Sequence, residues 1–283
     1  RILTAFLLLP LIAFSQAGDW YMDFDEDVAA ASSAWTPAKL GDKLAVWFDA
    51  ADNATVLNAD GNPASDAEAV QQWSDKSGNA RHATASATGR RPSYRTAVQN
   101  GRAVLRTDGD DQLDLASSGG VFRNKADGYI FTVAKDTNQT GGNTYHILLQ
   151  WSVSASGLSR LGLYGRHDSF DGTGWKAAGR RLDADSAVGI ASGQSASHSL
   201  IRVHAGWGVG KLYISCDNAE EYSVNYSSGA GSTTDTDSLM AYVLHGTLPD
   251  GSEIAEIVVV NAAMTDAEIS ATQRYLKNKW GTP

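Results

Sequence analysis

The chain has 283 residues, 42% hydrophobic and 19% charged, with 28 Gly, 6 Pro, one Cys and a net charge of −9. That composition suits many strands and turns and excludes a coiled coil, a collagen-like rod or a disordered chain. An acidic chain repels phosphate backbones, so nucleic acid is not expected as a partner, and the lone Cys216 excludes an internal disulfide and a Cys-based zinc site.

Arg1 is followed by an apolar run over residues 2–14, broken only by Thr4 and Pro10, then by Ser15-Gln16-Ala17. The run is shorter than the ~20 residues of a membrane-spanning helix. Residues 1–17 therefore read as one of two things. They form either a retained assembly anchor, with Phe6, Leu8 and Phe14 as its apolar contacts, or an export signal ending at a small-x-small site. Residues 18–37 mix acidic and small side chains and read as an arm or linker, with Trp20, Tyr21, Phe24 and Trp35 as anchors on a neighbouring subunit. Residues 38–283 form the remaining domain.

From Leu44 on, short strand-like segments alternate with turns. They are Leu44–Phe48, Tyr129–Ala134, Tyr145–Trp151, Leu161–Tyr164, Leu200–His204, Lys211–Ser215, Leu239–Leu244 and Ile254–Val260. β-Branched and aromatic residues fill them, and Gly, Asp, Asn and Ser separate them. Cys216 ends one such run and reads as a small buried hydrophobe. The chain has no 20–50-residue repeat and no alternation of strands with long helices, which disfavours propellers, solenoids and Rossmann or TIM architectures.

One helix is well signalled. Thr265-Asp266-Ala267-Glu268 is a capping box, Met264 and Ile269 hold the staple positions, and Ile269, Leu276 and Trp280 share a face. Lys277 and Lys279 suit the negative end of the helix dipole, and Gly281 terminates it.

Several segments together carry a resemblance. They are Leu44-Ala45-Val46-Trp47-Phe48-Asp49-Ala50, Trp73-Ser74-Asp75-Lys76-Ser77-Gly78-Asn79, His82-Ala83, Arg91-Pro92, Asn100–Arg106 with Asp108-Gly109-Asp110-Asp111, and Glu253–Val260 with its capped helix. Across residues 38–281 the chain resembles the laminin-G-like, concanavalin A-like jelly-roll domains of phage virion and bacterial surface proteins. The resemblance implies an all-β sandwich of two antiparallel sheets with one C-terminal amphipathic helix and an extended N-terminal arm. Within it, Asp75 is expected to cap the Ser77-Gly78-Asn79 turn, Gly78 to supply a positive φ, and Trp47 and Trp73 to be core aromatics. Fold does not fix function, and this family decorates many surfaces.

Catalytic signatures are missing. Glu253 and Glu256 are three apart, which in a regular strand puts them on opposite faces and not in one groove. Gly193-Gln194-Ser195-Ala196-Ser197 lacks the last glycine of a nucleophile elbow. Gly206-Trp207-Gly208-Val209-Gly210-Lys211 precedes a strand, so it reads as a hairpin turn and not a phosphate loop. No catalytic residue is therefore assigned and no enzyme is expected. Asp108, Asp110, Asp111 and Asp114 are dense oxygen donors without EF-hand spacing. They read as a plain acidic turn with calcium as the alternative, so no cofactor is expected. Glycine-flanked Trp175 and Trp207 are the candidate sugar-stacking aromatics, each also readable as a loop plug.

The expected function is that of a non-enzymatic virion structural protein of a tailed phage: a decoration, spike or fibre module. It would attach to other virion proteins through residues 1–35, in many copies or as a homo-oligomer, and display the jelly-roll toward a host-surface glycan. A secreted or cell-surface bacterial glycan-binding protein is the alternative, and a polysaccharide-active enzyme the second.

Overall fold

Two kinds of apolar pattern shape this domain: runs that are apolar at every position and short segments that alternate. The computed structural model describes residues 35–116, 119–137, 146–152, 159–166, 174–192, 197–233, 240–245 and 248–283. Phe6, Leu8, Phe14, Trp20, Tyr21 and Phe24 lie outside them.

A 3-10 segment, Pro37–Lys43, opens the described chain. The strands follow as β1 (Leu44–Asp49), β2 (Val56–Leu57), β3 (Gln72–Trp73), β4 (Ala83–Ala85), β5 (Ser93–Gln99) and β6 (Arg102–Arg106). Next come β7 (Gln112–Leu115), β8 (Asp127–Lys135), β9 (His146–Ser152), β10 (Ser159–Arg166), β11 (Lys176–Gly179) and β12 (Val188–Ala191). The last are β13 (Ser199–Gly206), β14 (Lys211–Cys216), β15 (Tyr222–Asn225), β16 (Met240–His245) and β17 (Glu253–Val260), then helix α1 (Asp266–Trp280).

They form two antiparallel sheets. The first runs β15-β14-β13-β8-β17-β6-β5, with β1 also paired to β17; the second runs β12-β11-β10-β9-β16-β7-β4-β3-β2. The expected jelly-roll sandwich with one C-terminal helix is what the chain forms. All eight sequence-read segments fall on strands, although Tyr145 and Leu239 lie outside the described residues.

The main core lies between the sheets. Phe48, Ile130, Ile201, Val203, Ile214 and Val259 meet Trp73, Leu113, Leu149, Trp151, Leu163 and Val243. Phe48 stacks on Trp73 at 5.0 Å between ring centroids. Cys216 faces this core. Burial pushes its thiol up to about 12, so it stays protonated and inert near neutrality. A disulfide reagent such as DTNB should leave the native chain unlabelled and add one equivalent per chain in urea; rapid native labelling would contradict this burial.

A second apolar layer lies outside the first sheet, under α1. Leu276 and Trp280 pack with Leu40, Trp47, Val104, Phe131, Val258 and Val260. Strand β17 is thus covered on both faces, which is why all its positions are buried and its sequence is apolar apart from Glu253 and Glu256. Both expected core aromatics are buried, Trp47 in the outer layer and Trp73 in the inter-sheet core. Trp35 lies 5.9 Å from Tyr275 of the domain's own helix, ring centroid to ring centroid.

The helix forms as its caps require. Glu268 N donates to Thr265 Oγ1, Thr265 N donates to Glu268 Oε2, and Gly281 closes the end at φ 65°. Lys43 ties the first turn down through both Glu268 oxygens at 2.8 Å. Lys279 does more than answer the dipole: its ammonium reaches Glu256 Oε2 at 2.6 Å and Asp49 Oδ1 at 2.5 Å.

The marked segment around Asp75 is structural, as expected. Asp75 accepts from Trp47 N, Ser77 N, Ser77 Oγ and Arg81 N, and Gly78 has φ 89°. Asn79 Nδ2 donates to Leu44 O and Ala45 O. These bonds cover the edge of β1 that β17 leaves unpaired.

Candidate functional site: the polar outer face of the second sheet

Strands of the second sheet alternate. Trp73, Ala83, Ala85, Leu113, Leu115, Leu149 and Trp151 enter the core. Their neighbours Gln72, Thr84, Asp114 and Gln150 therefore face away from it. Register places these on one rung: Gln72 opposite Thr84, Thr84 opposite Asp114, Asp114 opposite Tyr242, Tyr242 opposite Gln150, and Gln150 opposite Gly162.

The rung has an open and a covered half. Asp114 is exposed and Gln72 and Thr84 are half-buried, whereas Gln150 is buried. Beside the open half three planar groups form a chain that ends on Asp114. Arg90 Nη1 donates to Gln112 Oε1 at 2.8 Å, and Gln112 Nε2 donates to Asp114 Oδ1 at 2.6 Å. On the covered half Gln150 Nε2 donates to Ser152 Oγ at 2.8 Å. Tyr164 lies over Gly162, where a Cβ would come within 2.6 Å of its hydroxyl, so this position requires glycine. Lys176, opposite Tyr164, is buried beside it. The Asp114 carboxylate and Thr84 hydroxyl on the rung, with the Gln112 amide and the Arg90 guanidinium beside it, supply donors and acceptors close together. That is the chemistry that reads the hydroxyls of a polar ligand.

The aromatics chosen from sequence are elsewhere. Trp175 and Trp207 are both 0% exposed and belong to the inter-sheet core. Trp207 sits in the 3-10 turn joining β13 to β14, as the hairpin reading expected, but its ring turns inward. Nε1 donates to Arg180 O at 3.1 Å, and Phe122 meets the ring edge-on at 5.5 Å. The large side chain that the hairpin exposes is Val209, at 63%. The loop-plug alternative is the one the structure shows for both tryptophans: no ring face is open to a sugar.

The outer face of the first sheet, beyond α1, carries an aromatic stack that the sequence reading missed. Tyr129, His204 and Tyr213 are opposite one another on β8, β13 and β14, with ring centroids 4.1 and 5.1 Å apart. Asp127 Oδ1 lies 3.0 Å from His204 Nε2. Cross-strand aromatic pairs of this kind stabilise the sheet.

Glu253 and Glu256 need a correction. They lie on the same face, because a register shift between Ile254 and Glu256 adds one residue to the strand. Ile254 and Ile257 both enter the core, and Ala255 and Val258 both enter the outer layer. The two carboxylates still serve separate partners. Glu256 is enclosed by Trp47, Trp280 and Lys279, whereas Glu253 pairs with Arg106 and lies 3.8 Å from Lys135 and 3.2 Å from His198 Nε2. Burial pushes the His198 imidazole down, with Lys135 and Arg106 acting in the same sense against Glu253.

Of the four acidic donors, three come together. One carboxylate oxygen each from Asp108, Asp110 and Asp111 lies within 4.8 Å of the others. Asp114 instead joins the polar rung. Burial, then the neighbouring Asp108 and Asp110, push the Asp111 carboxyl up to about 7 against a backbone bond from Asp108.

No protein-family model matches the chain, and no curated protein matches it. Solved structures share its fold. The receptor-binding domain of a mosaic serotype C/D botulinum neurotoxin superposes with a TM-score of 0.54 at 10% identity, over 86% of this chain and 54% of that one. The serotype D binding domain gives 0.53 at 9%, over 86% and 55%. A mutant of Trypanosoma rangeli sialidase that displays trans-sialidase activity gives 0.50 at 12%, over 85% and 34%. The chain thus spans about half the length of the toxin domains and about a third of that sialidase. These likenesses establish the lectin-like β-sandwich and nothing finer.

Proposed function

We propose that this domain is a non-enzymatic glycan-binding module, presented as a decoration, spike or fibre component of a tailed-phage virion. The observation that carries the binding reading is the in-register polar rung, with the Arg90–Gln112 pair joined to it at Asp114 on its open half. Sugar hydroxyls are recognised by such planar bidentate groups on a rigid sheet. Two proteins of like fold are, by name, receptor-binding or binding domains, which supports surface recognition as its use. A single shallow site binds weakly, and many copies on one particle convert this into firm attachment.

The purified full chain on a glycan array is the test. Wild type should retain a defined set of glycans. Asp114→Ala and Arg90→Ala should each weaken retention roughly 10- to 100-fold, the loss of one hydrogen bond to a charged group at ~1.5–3 kcal/mol. Both residues are exposed, so the melting temperature should not move. Binding unchanged in both variants would remove this face as the site.

The virion placement is supported by the resemblance of residues 38–281 to phage virion jelly-rolls. The signal-like pattern of residues 1–17 favours the second reading, a secreted bacterial glycan-binding protein. Mass spectrometry separates them: the chain should co-purify with phage particles, and recovery only from the particle-free secreted fraction would favour the second.

A further inference from the structure

The last turn of α1 places one amine between two buried carboxylates. Lys279 Nζ lies 2.5 Å from Asp49 Oδ1 and 2.6 Å from Glu256 Oε2. Asp49 and Glu256 are buried, and the Lys279 side chain is 13% exposed. Aromatic rings wall the space. Lys279 Nζ stands 5.2 Å from the Trp280 ring centroid and donates to the Tyr275 hydroxyl at 3.1 Å. The two carboxylates have different surroundings. Glu256 is fixed by the indole N–H groups of Trp47 and Trp280, at 2.8 and 2.7 Å. Asp49 Oδ2 instead accepts from a second ammonium, Lys76 Nζ, at 2.9 Å, and Asp49 Oδ1 also takes the Ala51 N–H at 3.1 Å. The amine thus meets a carboxyl whose far oxygen is held by a cation, and a second carboxyl sits on the amine itself. Those are a nucleophile, a polarised electrophile and a proton carrier, fixed in one small space.

We infer that Lys279 and Asp49 join in a side-chain amide (isopeptide) bond, with Glu256 as the proton carrier. The ammonium passes one proton to Asp49 Oδ1, which it already touches, and Nζ attacks Asp49 Cγ. Charge gathers on Oδ2, where the Lys76 ammonium meets it. Glu256 Oε2 takes a second proton from the attacking nitrogen and returns it to Oδ1 as the Cγ–Oδ1 bond breaks. Oδ1 leaves as water, and the third proton stays on the amide nitrogen. One ammonium and one carboxylate thus give one amide and one water, and nothing is oxidised or reduced. Burial pushes the Glu256 carboxyl up, with Asp49 adding to this and Lys279 opposing it, which suits a group that accepts a proton. Fixed geometry replaces a bimolecular encounter, and the closed space protects the amide from hydrolysis. The bond ties α1 to β1 across 230 residues of sequence. In a chain that has not reacted, the same groups hold the helix as an ion pair. The inference does not rest on the glycan reading.

Mass spectrometry and denaturing electrophoresis of the purified full chain test the bond. The chain should be lighter than its unlinked form by the mass of one water. It should also run ahead of Lys279→Met in SDS, because a closed loop stays compact; with Cys216 as the sole cysteine, no internal disulfide can produce that shift. A tryptic digest should yield residues 44–76 joined to residues 278–283, since an acylated Lys279 is not cleaved. That joined peptide separates the bond from a water loss elsewhere in the chain. In Lys279→Met residues 44–76 should come free. Glu256→Gln cannot carry the proton and should slow linking at least about 100-fold, so that the freshly purified variant, shown to be folded by circular dichroism, is mainly unlinked. If it does not fold, the wild-type digest decides the bond by itself. Wild type at full mass, with residues 44–76 recovered free, would overturn the inference. So would a link from Lys279 to Glu256 in place of Asp49. An undiminished link in folded Glu256→Gln would overturn the role given to Glu256.

Discussion

Lys279→Met is expected to destabilise the domain by about 3–5 kcal/mol in urea denaturation, the cost of removing one partner from a buried ion pair. Glu256 is 0% exposed and sits between the first sheet and α1. It accepts from Trp47 Nε1 at 2.8 Å, Trp280 Nε1 at 2.7 Å and Lys279 Nζ at 2.6 Å. Burial pushes its carboxyl up, Asp49 adds to this, and Lys279 opposes both. Asp49 is also buried. Burial pushes its carboxyl up too, but Lys279 and Lys76 together outweigh that and hold it below the usual aspartate range. Without the ammonium, two buried carboxylates face each other, and Asp49 keeps Lys76 and the Ala51 N–H.

The double variant Lys279→Met/Glu256→Gln should recover part of the loss, because a neutral amide leaves no buried charge. A pH series adds a signed check. A depressed folded pKa gives stability that is present above the unfolded value and lost as pH falls through the folded one. The Asp49 contribution to acid sensitivity should therefore shrink in Lys279→Met. A loss below about 1 kcal/mol, the level of an exposed pair, would mean that the helix is not held by this hub.

How far the sequence displays this fold depends on element length. Strands β8, β13, β14 and β17 are six or more residues long and carry full apolar periods, so they are legible, as is α1 with its capping box. Strands β2, β3 and β4 have two or three residues, too few to show a period of two. They exist because neighbours pair with them. The bulge in β17 leaves no mark in the composition, so a face assignment by counting fails at Glu256. Lys279 is right for a helix end on local grounds, and only the tertiary fold reveals its partners. Part of the polar rung was legible: Gln112-Leu113-Asp114-Leu115 alternates, and so does Ala83-Thr84-Ala85 in size and polarity. Its continuation through Gln150 appears only once β16 and β9 are placed in register. The tryptophans misled because glycine beside an aromatic marks either a loop or a site of close packing. Here it marks packing.

Trp207→Ala decides that last point, and its expected cost is about 3–5 kcal/mol, as for truncating a large buried aromatic. The ring fills the space between the sheets against Phe122, which in turn packs edge-on to Trp151 at 5.1 Å. Truncation therefore opens a cavity beside Phe122 and removes one of the donors to Arg180 O, which keeps Arg160 Nη1 at 3.1 Å. Trp207→Phe should cost less, keeping most of the volume and losing the indole N–H bond, itself worth ~1 kcal/mol. A surface stacking residue would behave in the opposite way, losing ligand and keeping stability. Gly128 sharpens the argument. A Cβ there would lie 2.8 Å from Phe122 Cε1 and 2.9 Å from Trp207 Cζ3, so Gly128→Ala overpacks the core and should cost about 1–3 kcal/mol. In the Trp207→Ala background one of those two clashes is gone, and the same methyl group enters the cavity. The glycine substitution should then cost less than it does alone, by at least about 0.5 kcal/mol of coupling between contacting residues. Strict additivity of the two losses would place Trp207 away from Gly128 and out of the core, and would reopen the ring as a ligand platform.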